Sequence, residues 1–303
     1  MTGIILGAAG LGLLWSVMTI GVFLTYRVLD IADLTAEGSI VTGAAAAAVI
    51  IAGGGNPFAA SLAAFLAGAA TGLITGLLHT KLKIPALLSG ILCMIALYSI
   101  NIRIMKGAAN VSLLRKTTVY TEVLRLLPSA ANKDMAAIAA GLLCAAAVCA
   151  AVYWFFGTEL GSAIRAAGDN MKMARSQGIN TDNMIIMGLA LSNALIGLSG
   201  GLIAQYLGFA DVSMGIGSIV IGLASVIIGE VLFGVKTFRR TLFSLVCGSV
   251  VYRIVIAFVY KLGMPASDLK LFTAMTVAAA LYLPKLTKKW AKRAKGGGGN
   301  AVG

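Results

Sequence analysis

The sequence predicts an all-α polytopic membrane protein with about 8–10 transmembrane helices, and three observations support this fold class. Of the 303 residues, 59% are hydrophobic and only 12% are charged, whereas soluble domains carry about 25% charged residues. Apolar runs recur along the chain and reach the roughly 20 residues that a helix needs to cross the hydrocarbon of a bilayer. Charged residues collect at the ends of these runs. The bilayer is therefore the expected solvent for most of the chain.

Nine apolar runs, separated by charges and turn residues, predict the transmembrane helices in chain order. The first run, 4–25, has no basic leader and is longer than a signal-peptide core, so we expect it to be retained. Residues 53–57, Gly-Gly-Gly-Asn-Pro, predict a tight turn, because glycine permits unusual backbone angles and proline can open the next helix. The other predicted helices are 35–53, 57–79, 84–102, 134–156, 183–208, 215–234, 241–260 and 269–286.

Basic residues predict the orientation, because Lys and Arg beside short loops favour the cytoplasmic side. Six of them follow the last run, between Lys285 and Lys295, and Lys236, Arg239 and Arg240 lie two spans earlier. Counting back predicts an external N-terminus and three further cytoplasmic segments: 27–33, 79–83 and 157–182. The stretch 103–133 then falls outside, although it carries six basic residues and one acid. An additional re-entrant segment there would change this topology.

Composition argues against several other functions. The net charge is +13, but the basic residues flank apolar runs instead of alternating with aromatics on a soluble face, which argues against a nucleic acid partner. The four cysteines lie in apolar runs without a Cys-x-x-Cys pair, so we predict buried thiols and no metal site. His79 lies beside lysines at a helix end, and neither paired carboxylates nor a phosphate-binding loop occurs, so no catalytic residue is predicted.

Two stripes of small residues predict close helix packing. Gly68, Gly72 and Gly76 repeat at a spacing of four, as do Gly197 and Gly201, which lines one helix face with glycine and lets neighbouring backbones approach. The two segments also resemble each other weakly, which suggests either an inverted repeat of the transporter type or chance similarity.

The segment of about 159–181 is too polar to cross the bilayer and predicts a short cytoplasmic helix. Asp169 or Asn170 can cap its start, and Gly178 can end it. Such a helix can dock into a groove of a partner protein and move the spans at either end; a helix lying on the membrane surface is the alternative. The candidate coupling residues are Gly168, Asp169, Asn170, Met171, Ala174, Arg175, Gly178 and Ile179.

Polar side chains within or beside the apolar runs are candidates for a translocation path, since a charge in hydrocarbon costs about 2.5–3.5 kcal/mol on insertion scales. Structural hydrogen bonds between helices are the alternative. Asp30, Asp33 and Glu37 follow the first run and form either an inner gate or the inner membrane interface. Glu230 and Arg253 are predicted to lie at different depths and therefore not to pair. The candidate path residues are Glu37, Asn101, Asn193, Glu230 and Arg253.

The motif Gly168-Asp-Asn-x-x-x-Ala174-Arg175-x-x-Gly178-Ile179, followed by a long helix rich in small residues, resembles the coupling loop of ATP-binding-cassette (ABC) permeases for branched-chain amino acids and simple sugars. The sequence resembles more closely the branch of that superfamily labelled tryptophan/tyrosine-type. The segments that carry this second resemblance are 27–39, 82–91, 98–101, 222–230 and 265–270. The similarity therefore spans nearly the whole chain.

This resemblance implies a type II importer bundle that works by alternating access, with a cytoplasmic coupling helix and a separate ATPase. It implies one permease domain over 1–290, with a basic and then glycine-rich tail at 291–303. The expected partners are a second copy of the chain, cytoplasmic ABC ATPase subunits, an extracytoplasmic substrate-binding protein and the lipid bilayer. No cofactor is expected on this chain, since ATP and Mg²⁺ belong to the ATPase.

The resemblance also implies the bacterial plasma membrane as the location and, with the charge pattern, a cytoplasmic C-terminus. The substrate would be a small solute such as an amino acid, and the family label points to an aromatic one. Aromatic residues near the span ends could contact it, although such residues are also ordinary interface anchors. The rival function is an ion-gradient-driven secondary transporter, for which Glu230 is the deep carboxylate.

Overall fold

The computed structural model describes residues 2–126 and 133–261, together with Leu271 and Met275. The helices in these ranges are α1 (Thr2–Phe23), α2 (Thr35–Ala52), α3 (Pro57–Thr80), α4 (Ala86–Ile104), α5 (Val119–Leu126), α6 (Lys133–Phe155), α7 (Glu159–Asp169), α8 (Met171–Ser176), α9 (Thr181–Leu207), α10 (Ser218–Phe233) and α11 (Phe238–Lys261). Two short strands, β1 (Asn110–Ser112) and β2 (Phe209–Asp211), pair antiparallel.

The predicted all-α membrane fold is confirmed. Seven of the described helices are long and apolar enough to cross a membrane, and α10 is a shorter apolar helix. These eight helices match eight of the nine predicted spans to within about three residues at each end. Apart from Leu271 and Met275, the predicted helix 269–286 lies outside the described residues, as does the predicted tail 291–303.

The helix α9 lies at the centre of the bundle and packs against α1, α2 and α3. Its contact with α3 is the most extensive, and Gly68 and Gly72 of α3 lie directly on the backbone oxygens of Asn193 and Leu189. A methyl group at either glycine would overlap those oxygens. The glycine stripes predicted from the sequence therefore serve tight helix packing, and the two stripes face each other across antiparallel helices.

Contacts at the two ends of the bundle define its sides. At one end Arg27 pairs with Glu230, and Lys83 pairs with Asp182 at the start of α9. At the other end the pairing of β1 with β2 joins the 103–118 segment to the loop after α9. The described segments predicted to share the cytoplasmic side, 27–33, 79–83, 157–182 and 236–240, thus meet at one end of the bundle, and the basic stretch 103–118 lies at the opposite end.

The chain between α1 and α2 is irregular and alternates between the protein interior and the surface, because Asp30 and Ala32 are exposed between buried residues. The helix α1 ends in one π-helical turn, Leu24–Val28, and the next six residues are not helical. Leu29, Ile31 and Asp33 in this connection are all buried. Irregular backbone at membrane depth is tolerated only where protein or a water-filled cavity surrounds it. This break positions the polar residues described next.

Candidate translocation pathway and coupling segment

Asp33 and Asn193 form the centre of a polar cluster inside the bundle. The Nδ2 of Asn193 donates to Oδ2 of Asp33 over 2.7 Å, and the backbone N–H of Thr35 donates to Oδ1 over 2.9 Å. Asp33 is 3% exposed and Asn193 is fully buried near the middle of α9. Of the residues predicted to form either an inner gate or the inner membrane interface, Asp33 is thus enclosed by protein. The carboxylate lies deep in the bundle because the connection before α2 folds inward.

Hydroxyl groups extend this cluster between helices. Ser39 of α2 lies 2.6 Å from both the Oδ1 of Asn193 and the Oγ1 of Thr71, and Thr35 lies 2.8 Å from Thr75. All of these side chains are buried. They join α2, α3 and α9, so the hydrogen bonds predicted as the structural alternative for Asn193 are present. The sequence carried a signal for this cluster, since four hydroxyl residues recur at a spacing of four on α2 and α3.

Glu37 lies one turn into α2, beside this cluster. Its Oε1 accepts a hydrogen bond of 2.9 Å from the backbone N–H of Gly217, which immediately precedes α10. The carbonyl oxygen of Glu37 also packs directly on Gly215. The loop after β2 therefore descends into the bundle and meets the start of α2, so that two helices begin deep in the structure. Glu37 places a carboxylate between these two helix N-termini, where the positive end of each dipole stabilises it.

A cavity of about 470 Å³ lies between α2, α4 and the loop that follows β2. Glu37, Tyr98 and Asn101 line it together with Ser99 and apolar side chains. Asn101 is 1% exposed; its Nδ2 donates to the carbonyl of Gly38 over 3.4 Å, while its Oδ1 has no hydrogen-bond partner in the structure. Two of the predicted path residues, Glu37 and Asn101, therefore share one cavity wall.

Glu230 and Arg253 lie apart from this cavity and from each other. Arg27 donates to Glu230 from Nε over 3.0 Å in an ion pair at the end of the bundle that also holds α7 and α8. Arg253 lies within α11, where its guanidinium stacks over the Trp15 ring at 4.0 Å from the ring centroid. The prediction that Glu230 and Arg253 do not pair is confirmed. Sequence reasoning did not find the partners of either residue, because those partners lie on α1, more than 200 residues away in the case of Glu230.

The helix α8 has the predicted caps. Asn170, the residue before it, accepts a hydrogen bond of 3.0 Å from the Met173 N–H, which decides between Asp169 and Asn170 as the capping residue. At the other end Gly178 adopts a φ of +80°, a conformation that favours glycine. The next residue, Ile179, donates its N–H to the carbonyl of Ala174. Ala174 is fully buried, whereas Met171 and Met173 are exposed.

A second helix, α7, precedes α8 and was not predicted as a separate element. Its buried residues Ile164 and Ala167 face the bundle. Gly168 lies so close to the carbonyl oxygen of Val28 that a Cβ at this position would overlap it. The coupling segment is therefore seated on the end of α1, at the point where the chain turns inward toward Asp33.

Arg175 ties α8 to α9. Its Nε donates to the hydroxyl of Thr181 over 2.7 Å, and its NH2 group donates to Asp182 over 3.0 Å. Asp182 also accepts from Lys83, in the loop between α3 and α4, over 3.3 Å. A movement of α8 is thus connected to the start of α9 and to the end of α3. In the described residues, the remaining surface of α8 is open on the side of its two exposed methionines.

Comparison with known proteins identifies the family. The family model described as branched-chain amino acid transport system / permease component matches residues 4–280. The tyrosine transport system permease protein of Clostridioides difficile (strain R20291) is 42% identical over 269 residues, which cover 89% of this chain and 87% of that protein. An uncharacterized protein of Rickettsia prowazekii (strain Madrid E) is 30% identical over 268 residues, covering 87% and 91% of the two chains.

The fold has a counterpart among solved structures. A structure described as an inward-facing conformation of a metal-chelate type ABC transporter aligns with a TM-score of 0.50 at 13% identity. The alignment covers 92% of this chain and 83% of that chain. At this identity the likeness concerns the arrangement of helices alone.

Proposed function

This chain belongs to the branched-chain amino acid transport system permease family and is the membrane-spanning permease subunit of an ABC importer, and we propose that it moves an amino acid by alternating access. Hydrolysis of ATP takes place on separate cytoplasmic ATPase subunits in this proposal, and ATP and Mg²⁺ bind there. The family assignment favours this function over an ion-gradient-driven transporter.

The coupling part of the proposal rests on the contacts that α7 and α8 make with the end of α1 and the start of α9. Gly168 rests on the backbone of Val28, and Arg175 bonds to Thr181 and Asp182 at the start of α9. A displacement of α8 by the ATPase would therefore be transmitted to the break between α1 and α2 and to the start of α9. Asp33 lies in that break and Asn193 lies near the middle of α9, and a hydrogen bond joins the two side chains. The eight predicted coupling residues, Gly168 to Ile179, lie within this unit, whose exposed Met171 and Met173 suit docking into a groove.

We further propose that two copies of the chain face each other across the cavity that Glu37 and Asn101 line. The open side of that cavity exposes Ile95, Tyr98 and Ile216 by about 60% each. A contiguous apolar surface of this kind faces either lipid or another protein. A pathway between two copies would place the path residues beside the interface. An extracytoplasmic substrate-binding protein would deliver substrate at the end where β1 and β2 lie.

Orientation and location follow from the same proposal. The ATPase must reach α8, so the end with α7 and α8 is cytoplasmic, and the basic segments 79–83 and 236–240 lie at that end as the charge rule predicts. The C-terminus is then cytoplasmic and the membrane is the bacterial plasma membrane.

The substrate proposal is tested by uptake. Permease, ATPase and substrate-binding protein are reconstituted in proteoliposomes, and accumulation of labelled L-tyrosine is followed, because a 42% identical relative is a tyrosine transport system permease. We expect uptake that requires ATP and Mg²⁺ and that continues when ionophores collapse the proton and sodium gradients. Uptake that stops with the gradients and persists without ATP would establish secondary transport instead.

A further inference from the structure

The cavity beside α2 has the chemistry of a site for a cationic amine on an apolar body. We propose that it binds the substrate during transport, with Glu37 and Asn101 receiving the ammonium group of an amino acid and Tyr98 contacting its side chain. This inference rests on the proposed function and adds to it the chemical group that is recognised and the residues that recognise it.

The first argument is charge. Glu37 is the one charged side chain among the described residues that line the cavity. It belongs to a helix that begins beside the buried Asp33–Asn193 pair, so its carboxylate lies well inside the bundle. A charge at such depth is costly and by default marks a functional site. A carboxylate there favours a ligand that brings a positive charge and opposes an anionic one.

The second argument is the unsatisfied acceptor on Asn101. This side chain is 99% buried, and the bond from its Nδ2 to the Gly38 carbonyl leaves Oδ1 as the atom without a partner. A buried polar atom without a partner costs about 1–3 kcal/mol. An ammonium group has three N–H donors and no acceptor. It would therefore supply a donor to the Asn101 oxygen and place a positive charge beside the negative charge of Glu37.

The third argument is shape. The cavity volume of about 470 Å³ falls within the usual range of about 300–1,000 Å³ for small-molecule sites. Ile95 and Tyr98, on one face of α4, give its wall an apolar and an aromatic component. Aromatic rings attract both cations and other rings. Neutral sugars, which need many hydroxyl partners, fit this wall poorly.

The test compares Glu37→Gln with Glu122→Gln in the reconstituted transporter. Glutamine keeps the volume of Glu37 and can still accept from the Gly217 N–H, so the change removes charge with little effect on the fold. Glu122 is the matched control, because it is a carboxylate on α5 that pairs with Arg125 away from the cavity. The measurements are uptake of labelled L-tyrosine and ribose, and the ATPase rate stimulated by the substrate-binding protein.

We expect Glu37→Gln to lower tyrosine uptake by about tenfold or more, as loss of a close charge pair does, while the stimulated ATPase rate stays at the wild-type level. Tyr98→Ala should also lower uptake, and Tyr98→Phe should retain it because the ring remains. Glu122→Gln should match the wild type in both measurements.

Three results would overturn the inference while leaving the permease function intact: wild-type tyrosine uptake by Glu37→Gln, equal loss of uptake and ATPase rate in that variant, or wild-type transport of ribose but not of tyrosine. The second would show that Glu37 only holds the start of α10. A wild-type complex without ATP-driven uptake of either compound would contradict the proposed function itself, and the inference would fall with it.

Discussion

At the scale of single residues, the polar side chains of the bundle are held by partners that lie far away in the sequence. Glu37, Asn101 and Asn193 could be chosen as candidates because carboxylate and amide side chains in the apolar runs are few. Their partners could not be predicted, because Asp33 reaches Asn193 through a non-helical connection, and hydropathy treats such a charged connection as a surface loop. The pairing of Arg27 with Glu230 could not be predicted either, because the two residues are far apart in the sequence.

The buried contact between Asp33 and Asn193 leads to a stability prediction. In Asn193→Ala the carboxylate loses its 2.7 Å donor and Ser39 loses an acceptor, so we expect a cost of about 1–3 kcal/mol. The melting temperature of the detergent-purified protein should fall by roughly 2–4 °C for each kcal/mol. Asn183→Ala, at an exposed position of the same helix, is the control. Equal melting temperatures for the two variants would show that the contact contributes nothing to stability.

At the scale of secondary-structure elements, the apolar helices were predictable and the polar ones were less so. Bilayer thickness fixes the length of a spanning helix, so the charges and turns at the run ends indicated the limits of α2, α3 and α6 closely. The helix α7 has a mixed sequence whose helical state depends on packing of Ile164 and Ala167 against the bundle. The inward break before α2 also depends on tertiary contacts, because Leu29 and Ile31 are buried among other elements.

The close contact between Gly168 of α7 and Val28 at the end of α1 leads to a prediction at this scale. Gly168→Ala adds one methyl group that would overlap the carbonyl oxygen of Val28, so α7 must shift away from α1. We expect normal membrane insertion and a loss of ATPase stimulation by the substrate-binding protein. Ser162→Ala, on the exposed face of the same helix, introduces the same residue and should behave as the wild type. Normal stimulation in Gly168→Ala would show that this contact does not transmit coupling.

At the scale of the whole molecule, the charge pattern and the contacts give a consistent arrangement. The described basic segments that the charge rule assigns to the cytoplasm meet at one end, and the long stretch 103–118 pairs through β1 with the loop at the other end. That stretch and its continuation to 133 carry six basic residues, and in the proposed orientation they lie on the external side. The charge rule is strongest for short loops, and this connection contains a strand and a helix of its own.

Cysteine labelling tests this orientation. Lys116 and Lys172 are both exposed and lie at opposite ends of the bundle. In a background with the four native cysteines replaced by serine, Lys116→Cys should react with a membrane-impermeant maleimide in intact cells. Lys172→Cys should react only after permeabilisation. Labelling of both positions from the same side would contradict the arrangement, and labelling of Lys172→Cys alone in intact cells would invert it.

The most direct test of the whole account is co-purification of the tagged chain with its co-expressed ATPase, followed by an ATPase assay on the bound material. The account predicts a stoichiometric ATPase whose stimulated activity is lost in Arg175→Glu, because the new carboxylate would face Asp182 in place of the present 3.0 Å bond. Lys172→Glu, an equal change of charge on the same short helix, should retain the activity. A stably folded chain that binds no ATPase, or full stimulation in Arg175→Glu, would contradict the claim that this permease is coupled to ATP hydrolysis through α8.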